Sequence, residues 1–497
     1  MPFHKSEQFL RFKAQFKGLL VLPDDATYKQ AVGRWSTLAQ REAGAIAYPK
    51  DVNDVSLAVQ FAVDQDLELA IRGGGHGPSA ASSTNGGLVI DLSKYINEVK
   101  VEPEKQIVHV DGGAVWSDVD AETLKFGLAT VTGAVNHVGV GGLALGGGFG
   151  WLSGQHGTVV DNMLAATVVI ANGTVVHCSR TKNADLLFAI RGGGSNFGVV
   201  TSFELQCYPQ RPTAYCGLLA YTPDKLQSVF DTLDKWEDEG FDPKSAIYAV
   251  CAARPQGKPV CHLVPKNPRA YVLTSLSKEV IVVPFYNGSG EEGRAYYKRL
   301  FDIGPVMDTT AEQPYAKINE LLNPMSNPGH NRYDCGSTRI HRSGKFIAQT
   351  WANQAHHLQS QPELGFGLIG FVYFTLPSFE SKDTAFSRHS IHWPFVVEIT
   401  WDGRPDLVSD ARDWAKDLIA ITRQGADDPS EIGYPNWETE VLASESQVKK
   451  VFGSKYHYLQ HIKAKYDPNM VFNKWFPIVP AGGDHKGEWC APHPDIV

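Results

Sequence analysis

Residues 138–150 read VGVGGLALGGGFG, with RGGGHG at 72–77 before them and RGGGSNFG at 191–198 after them. Backbone amides in glycine loops come close to a diphosphate because no Cβ stands in the way, and they donate hydrogen bonds without adding charge. A single cluster reads most simply as tight turns. Three of them, each beside a strand-like run, point to a large phosphate-containing cofactor. One near-match is set aside. Gly139-Val-Gly141-Gly-Leu-Ala144 has the GxGxxA spacing of a dinucleotide-binding turn, and Asp161 lies at a suitable distance for a ribose. Such a turn follows a buried strand and opens a helix. Here TVTGAVNH (130–137) is a poor strand, and Gly146-Gly147-Gly148 interrupt the helix at once.

The flanking runs alternate helix and strand signals. Asp51 is a candidate N-cap for a helix carrying Val55, Val59, Ala62 and Val63 on one face. LELAI (67–71) then reads as a strand that delivers Arg72 to His76. In TVVIANGTVVHCS (167–179), two β-branched runs flank Asn172-Gly173, which predicts a hairpin closed by a type I′ turn. Texture changes after YPQRP (208–212). An amphipathic helix follows, with Leu226, Val229, Phe230, Leu233 and Trp236 on one face, and then the strand-like runs AIYAVCAA, EVIVVPFY, FGLIGFVYF and PFVVEITW. The reading is α+β, with a first domain over 1–212, a second over 213–435 dominated by antiparallel strands, and a return to the first over 436–497.

The length of 497 residues calls for at least two compact units, and 43% hydrophobic with 20% charged residues excludes a disordered or fibrous chain. The formal charge is −8 and no basic stripe is present, so a nucleic-acid partner is not expected. Cys178, Cys207, Cys216, Cys251, Cys261, Cys335 and Cys490 form no CxxC pair, and His356-His357 lacks a third spaced ligand, so no metal is expected. No segment reads as a signal core or a membrane span, which predicts an intracellular, cytoplasmic protein.

RGGGHG (72–77), VGVGGLALGGGFGWLSGQHG (138–157), VVDNM (159–163), FAIRGGGSNFGVVTSF (188–203), YPNW (434–437) and IKAKYDPNMVF (462–472) occur in that order. The set closely resembles the flavin-linked oxidases of the vanillyl-alcohol oxidase and p-cresol methylhydroxylase (PCMH) superfamily, in the berberine-bridge-enzyme-like branch. That branch includes 6-hydroxynicotine oxidases and oligosaccharide oxidases, and the resemblance spans essentially the whole chain. It implies a PCMH-type FAD-binding domain built from both chain ends and a substrate domain with a large antiparallel sheet covered by helices. It also implies that His76 is bonded to the flavin 8α-methyl group, which anchors the cofactor and raises its potential. Arg72, Gly73, Gly74, Gly75 and Gly77 surround that anchor. Gly139, Gly141, Gly142, Gly146, Gly147, Gly150, Gly157, Asn162, Gly198, Val199, Val200 and Asn436 are the further cofactor contacts that the resemblance implies. Many members carry a second link from a cysteine in a GxCxxVG segment. Val135 occupies that position here, so a single covalent bond is expected. Val138 matches the position that admits or excludes oxygen, and a valine resembles the oxygen-reactive members.

Tyr434, in Tyr-Pro-Asn-Trp, matches the tyrosine that faces the flavin in relatives, where it is either a base or a hydrogen-bond donor. Glu398 shares a strand face with Val396 and Thr400 and reads equally as an acid/base or amine-binding group and as a salt-bridge partner. His389 and His392 flank that strand. Trp437 replaces a second tyrosine, and with Phe371, Tyr373 and Trp401 it suggests an aromatic cavity. The expected function is oxidation of a small alcohol or amine, an aromatic, alkaloid-like or polyketide-like secondary metabolite, with O2 as acceptor and H2O2 as product. A carbohydrate or hydroxy-acid oxidoreductase is the enzymatic alternative, and a non-redox flavin-binding cyclase or binding module is the other.

Overall fold

A computed structural model describes residues 3–253, 278–338, 343–375, 383–387, 394–424, 433–440 and 444–482. His389, His392 and the tail beyond residue 482 lie outside these. Among the described residues, no helix is long and apolar enough to cross a membrane.

Two sheets carry the glycine loops. In the first, Ala45–Tyr48, Leu88–Asp91 and Leu69–Arg72 run parallel, with Leu19–Val21 antiparallel at the edge. Parallel strands need crossovers, and the helix Val52–Asp64 carries the chain from Ala45–Tyr48 to Leu69–Arg72 on the far side of Leu88–Asp91, capped by Asp51, whose side chain accepts from the Asn53 and Asp54 amides. The second sheet orders Val99–Glu102, Ile107–Asp111, Val199–Gln206, Met163–Val169 and Val175–Ser179, all antiparallel. The Asn172-Gly173 hairpin forms, but its turn is not type I′. Only Gly173 is left-handed (φ +80°), and its amide donates to the Ile170 carbonyl at 2.8 Å. The longer loop needs one positive φ rather than two, and glycine alone meets that demand.

The third sheet has nine strands among the described residues. Its main path runs Met307–Asp308, Leu219–Tyr221, Lys278–Tyr286, Ser245–Ala253, Phe366–Tyr373, Pro394–Trp401 and Asn331–Thr338. Strand side chains alternate between faces, and this sheet sorts them strictly. Ile247, Phe371, Tyr373, Val397 and Trp401 pack beneath helices Leu226–Glu239, Ile347–Ser360 and Val408–Thr422. Tyr248, Val396 and Glu398 point to the other face, toward the glycine loops. Phe371, Tyr373 and Trp401 therefore belong to the helix-covered core and not to an aromatic cavity. Their odd-numbered parity on these strands puts them there.

The C-terminal helix Tyr456–Tyr466 returns to the third glycine cluster. Its buried Lys463 ammonium donates to the Asn196 and Phe472 carbonyls and pairs with Asp467 at 2.6 Å. A fully buried charge is tolerated here because all three of its protons are used.

Candidate active site

A cavity of about 340 Å³ lies between the glycine loops and the free face of the third sheet. The strand Leu69–Arg72 ends at its rim and feeds Gly73, Gly74, Gly75, His76 and Gly77 into its wall. The opposing loop contributes Val135, Val138, Gly139, Gly141 and Gly142, and the third cluster contributes Gly198, with Val200 beyond it. The first two loops touch backbone to backbone. A Cβ on Gly74 would meet the Gly139 nitrogen at 2.5 Å, and one on Gly141 would meet the Gly112 carbonyl at 2.6 Å. Gly142 has nothing within 4 Å of its missing Cβ, so there the backbone is bare toward the cavity.

Several expected contacts lie elsewhere. Arg72 points away and pairs with the buried Asp91 at 3.0 Å. Gly146 and Gly147 make room for Asn436 and the Phe386 ring, and Gly150 packs on the Thr132 carbonyl. Gly157 turns at φ +78° beside Asp161. Buried Asn162 holds its own loop by donating to the His156 and Thr158 carbonyls. Val199 is in strand register with Val169, inside a core. These residues shape the loops rather than line the cavity, because close packing needs small or hydrogen-bonded residues behind the wall as well as in it.

His76 reaches the cavity with Nε2 shut off from water and without a hydrogen-bond partner. Its ring stacks on Trp35 at 4.4 Å and stands 5.0 Å from His137. Burial, then the neighbouring His137 and Arg332, pushes its pKa down to about 3. The imidazole is therefore neutral at physiological pH and keeps a lone pair, as a nucleophile must. Val135 is aliphatic and offers no second nucleophile at this wall. Val138 presents its side chain to the cavity while its carbonyl accepts from the Trp116 amide at 3.1 Å.

Tyr434 is buried on the opposite loop. Its hydroxyl oxygen accepts from the Gly148 amide at 2.9 Å and from Asn436 Nδ2 at 2.8 Å. With both acceptor positions engaged, the phenolic proton is what it has left to offer. Burial pushes its pKa up to about 12, against the pull of those two donors. Of the two roles open to it, the geometry favours the donor. Phe149 and Trp437 pack against its ring at 4.9 and 5.2 Å, and Tyr248 completes an aromatic wall; of the four aromatic residues expected to form one, Trp437 lines this cavity and Phe371, Tyr373 and Trp401 do not.

Glu398 does face the cavity, and it is paired. Arg332 Nε donates to Glu398 Oε1 at 3.1 Å and Thr400 Oγ1 donates to the same oxygen at 2.8 Å. Two further carboxyls join the wall, Asp334 and Glu438. Neither was anticipated from the sequence. Asn331–Thr338 (NRYDCGST) is poor in β-branched residues and does not read as a strand, and Glu438 follows YPNW with no spacing that marks it as a site residue. The alternation Arg332-x-Asp334 was the available signal. His357 stacks on Trp414 and lies 3.2 Å from Asp417.

Bare glycine backbone, an orphaned imidazole nitrogen and an apolar wall together fit a large planar cofactor with a diphosphate tail. Comparison with known proteins agrees. Residues 43–179 match the model described as an FAD binding domain, and residues 433–477 match the one described as berberine and berberine like. FAD-linked oxidoreductase pgmH of Aspergillus terreus is 31% identical, with 96% of this chain and 97% of that protein covered. The crystal structure of 6-hydroxy-D-nicotine oxidase from Arthrobacter nicotinovorans superposes with a TM-score of 0.80 at 27% identity, covering 94% of this chain and 98% of that one. Glucooligosaccharide oxidase from Acremonium strictum shares the fold (TM-score 0.79, 20% identity, 96% and 100% covered), and its flavin is 6-S-cysteinyl, 8α-N1-histidyl FAD.

Proposed function

This chain belongs to the berberine-bridge-enzyme-like family of FAD-linked oxidoreductases, and we propose that it is an oxidase of a small aromatic amine or alcohol, with FAD attached through His76 alone. The observation that carries the reading is the unpartnered, water-excluded Nε2 of a neutral His76 at one side of a cavity whose other side is the Tyr434–Phe149–Trp437 wall. FAD, when bound, supplies the hydride acceptor and the means of passing electrons to O2. The chain's own residues do the rest. His76 holds the cofactor. The glycine loops supply amides to its phosphates. Tyr434, fixed by Gly148 and Asn436, donates a hydrogen bond that orients a substrate heteroatom. The aromatic wall excludes water and selects flat, apolar substrates. Val138 leaves the cavity wall aliphatic on the oxygen side, and the absence of a nucleophile at Val135 supports one covalent bond.

The test is the visible spectrum of purified protein before and after acid precipitation. Yellow colour retained in the pellet and lost in His76→Ala supports the anchor, whereas colour released from the wild type removes it. Bleaching by substrate without air, followed by rapid recolouring with peroxide release on aeration, supports an oxidase. Slow recolouring in air beside fast recolouring by a dye makes it a dehydrogenase.

A further inference from the structure

Three carboxyls and one guanidinium meet on the sheet side of the cavity, and the guanidinium has Nε and Nη2 engaged while Nη1 is buried without a hydrogen-bond partner. Arg332 donates to Glu398 and to the Asn327 carbonyl, and its Cζ lies 4.2 Å from the Trp35 ring centre. Glu398 is thereby neutralised. Asp334 and Glu438 form no ion pair among the described residues, although Arg332 lies close enough to Asp334 to favour its charged form. Asp334 is 5% exposed, yet its Oδ1 has no hydrogen-bond partner. It stands directly across from Glu398 in the antiparallel register, and like charges so placed repel. Glu438 keeps one oxygen on the Gly336 amide at 3.1 Å, with the Cys335 thiol near the other. Removal from water pushes Glu438 up to about 8 and raises Asp334 as well. Among the described residues one guanidinium thus faces three carboxyls here, and the corner opens on the space bounded by the Tyr434 and Trp437 rings, whose faces attract cations.

We propose that Asp334 and Glu438 seat a protonated amine, so that the substrate is an organic ammonium on an aromatic frame and not an alcohol or a sugar. The ammonium N–H supplies the partner that Asp334 Oδ1 lacks and offsets the charge that Arg332 leaves uncompensated. Glu398, held by Arg332 and Thr400, keeps the strand pair in place and does not bind the cation. The proposal rests on this cavity being the substrate side of an FAD oxidase.

Titration calorimetry on the holoenzyme with N-methylbenzylamine and benzyl alcohol, two probes of like shape, tests it. The amine is expected to bind about 10–100-fold more tightly, the range of a charge-assisted hydrogen bond. Asp334→Asn and Glu438→Gln should each erase about tenfold or more of that preference while alcohol binding stays level. Equal binding of the two probes, binding of neither, or equal weakening of both by the substitutions overturns the proposal. If Asp334→Asn does not fold, the wild-type preference and Glu438→Gln still decide. The holoenzyme's visible absorption is read separately. A colourless protein sinks the oxidase reading, whereas a yellow protein indifferent to the amine sinks only the ammonium seat.

Discussion

The Trp35 indole lies over the His76 imidazole, with ring centres 4.4 Å apart and planes 18° from parallel. Trp35 is itself held by Nε1 donating to the Ser326 carbonyl at 2.7 Å and by the Arg332 guanidinium. A histidine that follows three glycines would otherwise sample many orientations, because glycine leaves the backbone free. Stacking limits this freedom and holds the imidazole at the cavity wall. Trp35→Leu should lower the fraction of flavin retained in acid-precipitated protein, and Trp35→Phe should largely restore it. Undiminished retention in Trp35→Leu would show that the stack is not needed to present His76.

Tyr434→Phe removes the donor and leaves the Gly148 amide and Asn436 without their acceptor. Turnover should fall about 10–100-fold, the worth of a strong hydrogen bond in a dry site. Flavin content should stay at the wild-type level. Because the phenol sits up at about 12, the wild-type pH–rate profile should show no Tyr434 limb between pH 6 and 9. A limb in that range that vanishes in Tyr434→Phe would assign it the base role instead.

Glu398→Gln breaks the ion pair with Arg332, whose side chain is 3% exposed. An uncompensated buried guanidinium costs about 3–5 kcal/mol. The variant should therefore unfold at lower temperature or denaturant, and any loss of turnover should track that loss of stability. Full stability with abolished turnover, seen by thermal melting beside an activity assay, would return Glu398 to a direct role.

Asp120 is buried against Asn319, whose Nδ2 donates to it at 2.6 Å, and burial pushes its pKa up to about 7. In the unfolded chain an aspartate titrates near about 4. Between those values the folded state binds more protons, so Asp120 makes stability fall as pH rises from about 4 to about 7, with a level penalty above. Asp120→Asn should flatten that part of the stability profile and raise the melting temperature at pH 8 relative to the wild type. Parallel wild-type and variant profiles from pH 4 to 8 would show that Asp120 titrates normally.

Much of the frame was legible because its signals are local. The Asp51 cap, the hairpin around Gly173 and the glycine loops depend on a few adjacent residues and their allowed backbone angles. The placement of Phe371, Tyr373 and Trp401 failed for a different reason. Period-two alternation says which residues share a face, but not which face turns to the helices, and that choice is made when the sheet packs. The strand bearing Asp334 was invisible because its β character comes from pairing with Pro394–Trp401 and not from its own residues.

By itself the sequence determined a glycine-lined cradle with a histidine at its lip, since bare backbone at defined positions is a property of residue type. It also determined which residues could carry chemistry there. Tertiary structure alone decided their states. His76 is neutral because it is buried beside His137 and Arg332, Tyr434 is left with only its proton to offer because Gly148 and Asn436 occupy its oxygen, and Asp334 meets Glu398 because two distant strands align in register. Protonation and pairing are set by what surrounds a group in space, and for this site those surroundings come from segments far apart along the chain.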